Sequence, residues 1–127
     1  MADTLTRDEI DETDRLISST KVEGTAVYNR AGDRLGTIQN FMVDKRSGKV
    51  EHAVLEFGGF LGIGSDHYPL PWKLLDYDTD QGGYVVDIDK SRLEKAPRYE
   101  RNSPPDFSSD YGRRVYGYWD VPYPTMI

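Results

Sequence analysis

Between Val22 and Asp89 short β-rich runs are cut by clusters of turn residues, and this spacing constrains the fold more than any other feature. Short runs of β-branched and aromatic residues bounded by Gly, Asp, Asn and Pro read as strands joined by tight turns. Residues 25–28 are one such run, and Asn29-Arg30-Ala31-Gly32-Asp33 is the turn after it. Residues 35–44 follow, with Ile38 and then Phe41 and Val43 facing inward. That uneven spacing predicts a bulge near Asn40. Lys45-Arg46-Ser47-Gly48 is a hairpin turn, in which Gly48 suits a positive φ. Residues 50–57 place Ala53, Leu55 and Phe57 on one face and His52 and Glu56 on the other. Beyond a glycine-rich loop come strands at 67–70, 74–77 and 84–88, the last two joined by a turn over 78–83. No helical periodicity lies between them, which argues against parallel βαβ units. The reading is an all-β fold, a small antiparallel six-stranded barrel, with Val27, Ile38, Val43, Leu55 and Val85 in its core.

The flanks read differently. Residues 1–20 form an acidic arm, residues 21–97 the barrel domain, and residues 98–127 an aromatic, proline-containing tail. In the arm, Thr6 and Glu9 have capping-box spacing ahead of Ile10, Leu16 and Ile17, consistent with a short helix or a frayed segment. Ser91 and Glu94 have the same spacing before one helical turn that stops ahead of Pro97. The tail carries Pro104, Pro105, Pro122 and Pro124. It also holds Tyr99, Phe107, Tyr111, Tyr116, Tyr118, Trp119 and Tyr123, seven of the fifteen aromatics. Plain linkers are poor in such residues, so the tail is expected to dock on its own barrel or on a neighbour.

Composition removes several functions. The chain has no cysteine, which excludes a disulfide framework, a thiol nucleophile and a Cys-bound zinc or iron–sulfur site. Its net charge is -6, with six acids against two bases in the arm and near balance elsewhere. No segment forms the basic stripe that phosphate neutralisation requires, so nucleic-acid binding and adsorption to anionic membranes are disfavoured. The start of the chain is acidic and polar, unlike a secretory signal. No apolar run approaches the roughly 18 residues of a membrane span. A cytoplasmic location without membrane insertion is expected.

Candidate sites are few. Gly58-Gly59-Phe60-Leu61-Gly62-Ile63-Gly64 lacks the spacing of a dinucleotide-binding loop and is followed by no helix start. Its reading is a strand connection whose Phe60, Leu61 and Ile63 pack on the barrel or on a partner. Asp76, Asp78 and Asp80 open a calcium-loop pattern, but Gln81 stands where glycine belongs and Asp87 where a longer bidentate acid belongs. They form a weak metal site candidate; the competing reading is an acidic turn capping its own backbone. His52 and His67 fall on different strands and are expected at the surface or an edge, not in a metal or catalytic site. No serine lies in a nucleophile elbow. Pro69-Leu70-Pro71-Trp72 belongs at an edge or corner, with Trp72 closing the barrel end.

Taken in order, several motifs resemble the PRC-barrel family. They are Lys21-Val22-Glu23-Gly24, Val27-Tyr28-Asn29, the Gly32 and Gly36 pair, Val43-Asp44-Lys45-x-Ser47-Gly48-Lys49, Ala53-Val54-Leu55-x-Phe57-Gly58-Gly59, Pro69-Leu70-Pro71-Trp72 and Leu93-x-x-Ala96-Pro97. The tail is similar to those of stand-alone bacterial members. The resemblance implies a small, closed or nearly closed antiparallel barrel. Family members include the cytoplasmic domain of the photosynthetic reaction-centre H subunit and the C-terminal domain of a ribosome-maturation factor, both contact modules. The resemblance supplies no catalytic residue and no cofactor.

The expected function is a non-enzymatic protein-interaction or assembly module that forms a homo-oligomer, most simply a dimer. Its contacts are expected from Phe60, Leu61 and Ile63 or from Tyr111, Tyr116, Tyr118, Trp119 and Tyr123. The alternative is a small-ligand or ion-binding regulatory domain using the glycine loop or the acidic hairpin.

Overall fold

The computed structural model describes residue 13, residues 15–57 and residues 66–124. In chain order these form α1 (Ser19–Val22), β1 (Ala26–Asn29), β2 (Arg34–Val43), β3 (Val50–Phe57), β4 (Asp66–Pro71), a 3-10 turn (Trp72–Leu74), β5 (Asp76–Asp78), β6 (Gly83–Val86), α2 (Lys90–Glu94), β7 (Tyr99–Glu100) and α3 (Ser109–Tyr118). The described strands make one sheet in the order β5-β6-β1-β2-β3-β4-β7.

Local chemistry explains the long central hairpin. The Asp44 carboxylate accepts the amides of Arg46 and Ser47, each at 2.9 Å, and Gly48 sits at φ +77°. The Ser47 amide first, then that of Arg46, hold the Asp44 carboxyl below its ordinary value. The register between β2 and β3 slips between Ile38 and Asn40, where the bulge was expected, and again between Met42 and Val43. Each slip sharpens the local twist and curls the ten-residue β2 around the core. On β4, β7 pairs only with Asp66 and His67, so Pro69 and Pro71 lie where β4 is the sheet edge.

Two topological expectations need correction. The described residues form seven strands instead of six, because the tail contributes β7. β1 and β6 run parallel, with Val27 beside Tyr84 and Asn29 beside Val86. A parallel pair needs a long crossover, and the segment from β2 to β5 supplies it through β3, β4 and the 3-10 turn. The strand expected at 74–77 is split into the 3-10 turn and β5.

Val27, Ile38 and Leu55 are buried as expected, beside Leu35, Leu70, Val86 and Leu93. Val43 is instead 44% exposed, since the second slip places it opposite Val50 at the open end of the hairpin. Val85 is only half-buried; Tyr84 and Val86 face inward, so the expected alternation was one residue out of register. Leu55→Ala is expected to cost about 2–5 kcal/mol in urea unfolding, because it removes a large side chain from a closed interior. A loss under about 0.5 kcal/mol would place Leu55 outside the core.

The tail departs most from expectation, since it carries a ten-residue helix. The Ser108 hydroxyl accepts the Tyr111 amide at 3.3 Å, and Asp110 lies in the first turn, where the helix dipole favours an acid. Tyr111, Val115 and Trp119 recur every fourth residue and so share one side of α3. Val115, Tyr116 and Trp119 are buried. The helix ends where the Val121 amide returns to the Tyr116 carbonyl at 3.0 Å, with Asp120 at φ +59° and Pro122 beyond. α3 lies against β4.

Candidate functional site

His52, Val54 and Glu56 share the face of β3 that points away from the barrel core. Directly opposite them on β4 stand Pro71, Pro69 and His67. An outer face of a small barrel is normally wet, yet His52 is 2% and His67 5% exposed. Both histidines are therefore corrected from surface to buried. The reason is the tail, which crosses this face as a chain of packed rings. His67 packs on Tyr99 at 5.3 Å, Tyr99 on Phe107 at 6.0 Å, Phe107 on His52 at 5.7 Å, His52 on Tyr116 at 5.5 Å, and Tyr116 on Tyr123 at 5.2 Å. Tyr111 joins through Phe107 at 5.4 Å.

Polar contacts fasten the same seam. The Tyr116 hydroxyl donates to the Glu51 carbonyl. One Glu51 carboxylate oxygen accepts the Tyr123 hydroxyl at 2.9 Å and lies 3.1 Å from His52 Nε2. His52 Nδ1 is buried without a hydrogen-bond partner. Burial pushes the His52 imidazole below its ordinary value, and the Glu51 carboxylate pulls the other way less strongly. Tyr116 is pushed up to about 12 by burial first and the Glu51 charge second. Tyr111 is likewise pushed up to about 12, by burial and then by Tyr99. At the far end Arg92 donates to the Tyr118 carbonyl at 2.6 Å and to Asp120 at 3.0 Å, and stacks over Trp119 at 5.1 Å.

These contacts place the tail residues expected to meet a partner. Tyr116 and Trp119 are turned into the chain's own interior. Tyr111, Tyr118 and Tyr123 are half-buried along the same seam, Tyr118 donating to the Arg92 carbonyl. Phe60, Leu61 and Ile63, with the rest of the glycine loop, lie outside the described residues. Asp76, Asp78, Asp80 and Asp87 do not converge. Asp78 accepts the Asp80 amide at 2.9 Å and Gln81 Nε2 at 3.0 Å, while Asp76 and Asp87 flank Arg30 at 4.0 and 3.6 Å. Among the described residues no group of three or more His, Asp or Glu side chains is arranged to hold a metal ion.

A second feature lies away from this seam. A cleft of about 590 Å3 opens between Leu16 and Ile17 on one side and Trp72, Leu75, Tyr77 and Tyr84 on the other. Trp72, which packs on Phe41 at 6.0 Å and on Tyr84 at 5.6 Å, is half-buried at this end of the barrel. Leu16 is 58% and Tyr77 37% exposed. No helix among the described residues is long and apolar enough to cross a membrane.

The sequence profile of the PRC-barrel domain matches residues 14–93. The chain belongs to the PRC-barrel family. The matched span contains every described strand of this PRC barrel except the tail's β7, and α3 also lies beyond it. Among curated proteins none matches the chain. Among solved structures, the crystal structure of a 16S ribosomal RNA processing protein, RimM, from Pseudomonas aeruginosa aligns with 68% of this PRC-barrel chain at 19% identity and a TM-score of 0.40. The alignment covers 50% of that protein, so this chain spans about half its length.

Proposed function

We propose that this PRC-barrel protein is a non-catalytic interaction module that works in the cytoplasm by associating with a second copy of itself. The observation that supports this reading is the aromatic cleft, where Leu16 and Tyr77 leave apolar area in water beside Trp72. Contiguous apolar surface of this kind favours a protein contact, and Tyr and Trp supply large area at low entropy cost. The ionisable groups of the seam support a structural role instead, being spent on holding the tail.

Sedimentation tests the proposal. The full chain is expected to run as a dimer at about 100 μM, and Leu16→Ser with Tyr77→Ser together to run as a monomer with a melting temperature within a few degrees of wild type. A wild-type monomer at that concentration would remove self-association from the reading. A double variant that still dimerises would move the contact away from the cleft.

A further inference from the structure

We propose that His52 makes the tail an acid-released latch: protonating its imidazole frees α3 and the flanking aromatics from the outer face of β3 and β4 while the strands stay paired. This inference goes beyond the interaction role and stands without it. Three tail residues, Phe107, Tyr116 and Tyr123, are held by the two adjacent residues Glu51 and His52. The neutral imidazole fits, with an Nε2 proton directed at Glu51 and a bare Nδ1. The imidazolium carries a proton on both nitrogens. Its Nδ1–H would then be enclosed under Phe107 and Tyr116 with no acceptor.

The charges around His52 sharpen the point. Glu51 on its own strand and Asp44 from the β2–β3 turn line the same small cavity of about 140 Å3. The tail presents the Tyr116 and Tyr123 phenols, and Arg113 stacks over Tyr123 at 5.7 Å. Arg113 and Lys49 line the adjoining cavity, and β4 presents Pro71. The two carboxylates attract an imidazolium, so the cost of protonation lies in lost hydration and the stranded Nδ1–H. Burial outweighs Glu51 in setting the balance, and the folded imidazole resists protonation. Opening the tail relieves both costs, because water then reaches Nδ1. Opening the sheet would relieve nothing further, since His52 lies on the outer face.

The test is amide hydrogen exchange on the full chain at about pH 7.5 and about pH 5.5, corrected for intrinsic rates. Acid is expected to speed exchange across residues 109–118 by about tenfold or more relative to β2 and β3. His52→Gln is expected to abolish that difference, and His67→Gln, at the other end of the ring chain, to keep it. An independent readout is the nuclear magnetic resonance titration of His52 in the wild type, whose midpoint is expected to coincide with tail opening. Equal acceleration of tail and strands, no acceleration, or a difference that survives in His52→Gln would overturn the proposal. So would a His52 titration that leaves tail exchange unchanged, and this last outcome needs no variant to fold.

Discussion

A chain ended at Pro97 is expected to keep a cooperative thermal transition but to melt far below the full-length protein. Truncation removes Val115, Tyr116 and Trp119, all buried, and uncovers His52 and His67. Burying one large side chain stabilises a fold by about 1.5–3 kcal/mol, so three amount to about 5–9 kcal/mol as an upper estimate. A whole domain commonly has only about 5–15 kcal/mol of net stability. The loss is therefore a large share of the domain's stability, with enough left in the paired strands to keep them folded. Circular dichroism in the near ultraviolet, followed through a melt, checks this. A shortened chain that melts within a few degrees of full length would show that the tail is an appendage. The same seam makes the fold sensitive to alkali. Tyr111 and Tyr116 are raised from 10.0 to about 12. Their contribution is fully present below the unfolded value and is lost as pH rises through the interval between the two values.

Among the described glycines, Gly36→Ala is expected to be the most damaging added methyl. A Cβ at Gly36 would stand 2.0 Å from the Glu56 carbonyl oxygen and 3.3 Å from Leu55 Cδ1. The obstacle is backbone, so no rotamer change relieves it. Strands β2 and β3 would have to part where Thr37 faces Glu56 and Ile38 faces Leu55. The expected loss is about 3–5 kcal/mol, at the upper end for overpacking because a strand pairing goes with it. Gly117→Ala is the matched control. Gly117 lies inside α3 with nothing within 4 Å of the added carbon. There the methyl is expected to stabilise by about 0.5–1 kcal/mol through lower unfolded-state entropy. Urea unfolding of both variants decides the matter. Equal effects would mean that β2 and β3 do not approach as closely as described.

The barrel was legible because its signals are local. Asp44 and Gly48 build their turn with their own side chain and backbone, so the hairpin follows from adjacent residues. The bulge near Asn40 could be read from the break in apolar alternation. What stayed hidden required knowing where the tail goes. Alternation along β3 places His52 on its outer face, but no pattern within β3 says that Tyr116 and Phe107 will cover it. The tail helix itself carried a signal. Ser108 stands ahead of Tyr111, Val115 and Trp119 at fourfold spacing, with Asp110 in the first turn. Prolines on both sides and Gly112 and Gly117 within weaken that signal, because both residue types disfavour helix. Gly112 is required by packing, since a Cβ there would lie 2.5 Å from the Tyr123 ring. The parallel β1–β6 pair was invisible for a different reason. Strand order depends on contacts distant in sequence, and turn residues report only the connections between neighbours.

The aromatic tail packs on its own barrel and buries both histidines. Nuclear Overhauser contacts in a mixture of isotope-labelled and unlabelled full-length chains test this packing. Contacts from the His52 ring to Phe107 and Tyr116, and from the His67 ring to Tyr99, are expected within a labelled molecule and absent between labelled and unlabelled ones. The same contacts appearing between molecules, or appearing nowhere while the His52 ring exchanges freely with water, would show that the tail does not cover its own barrel.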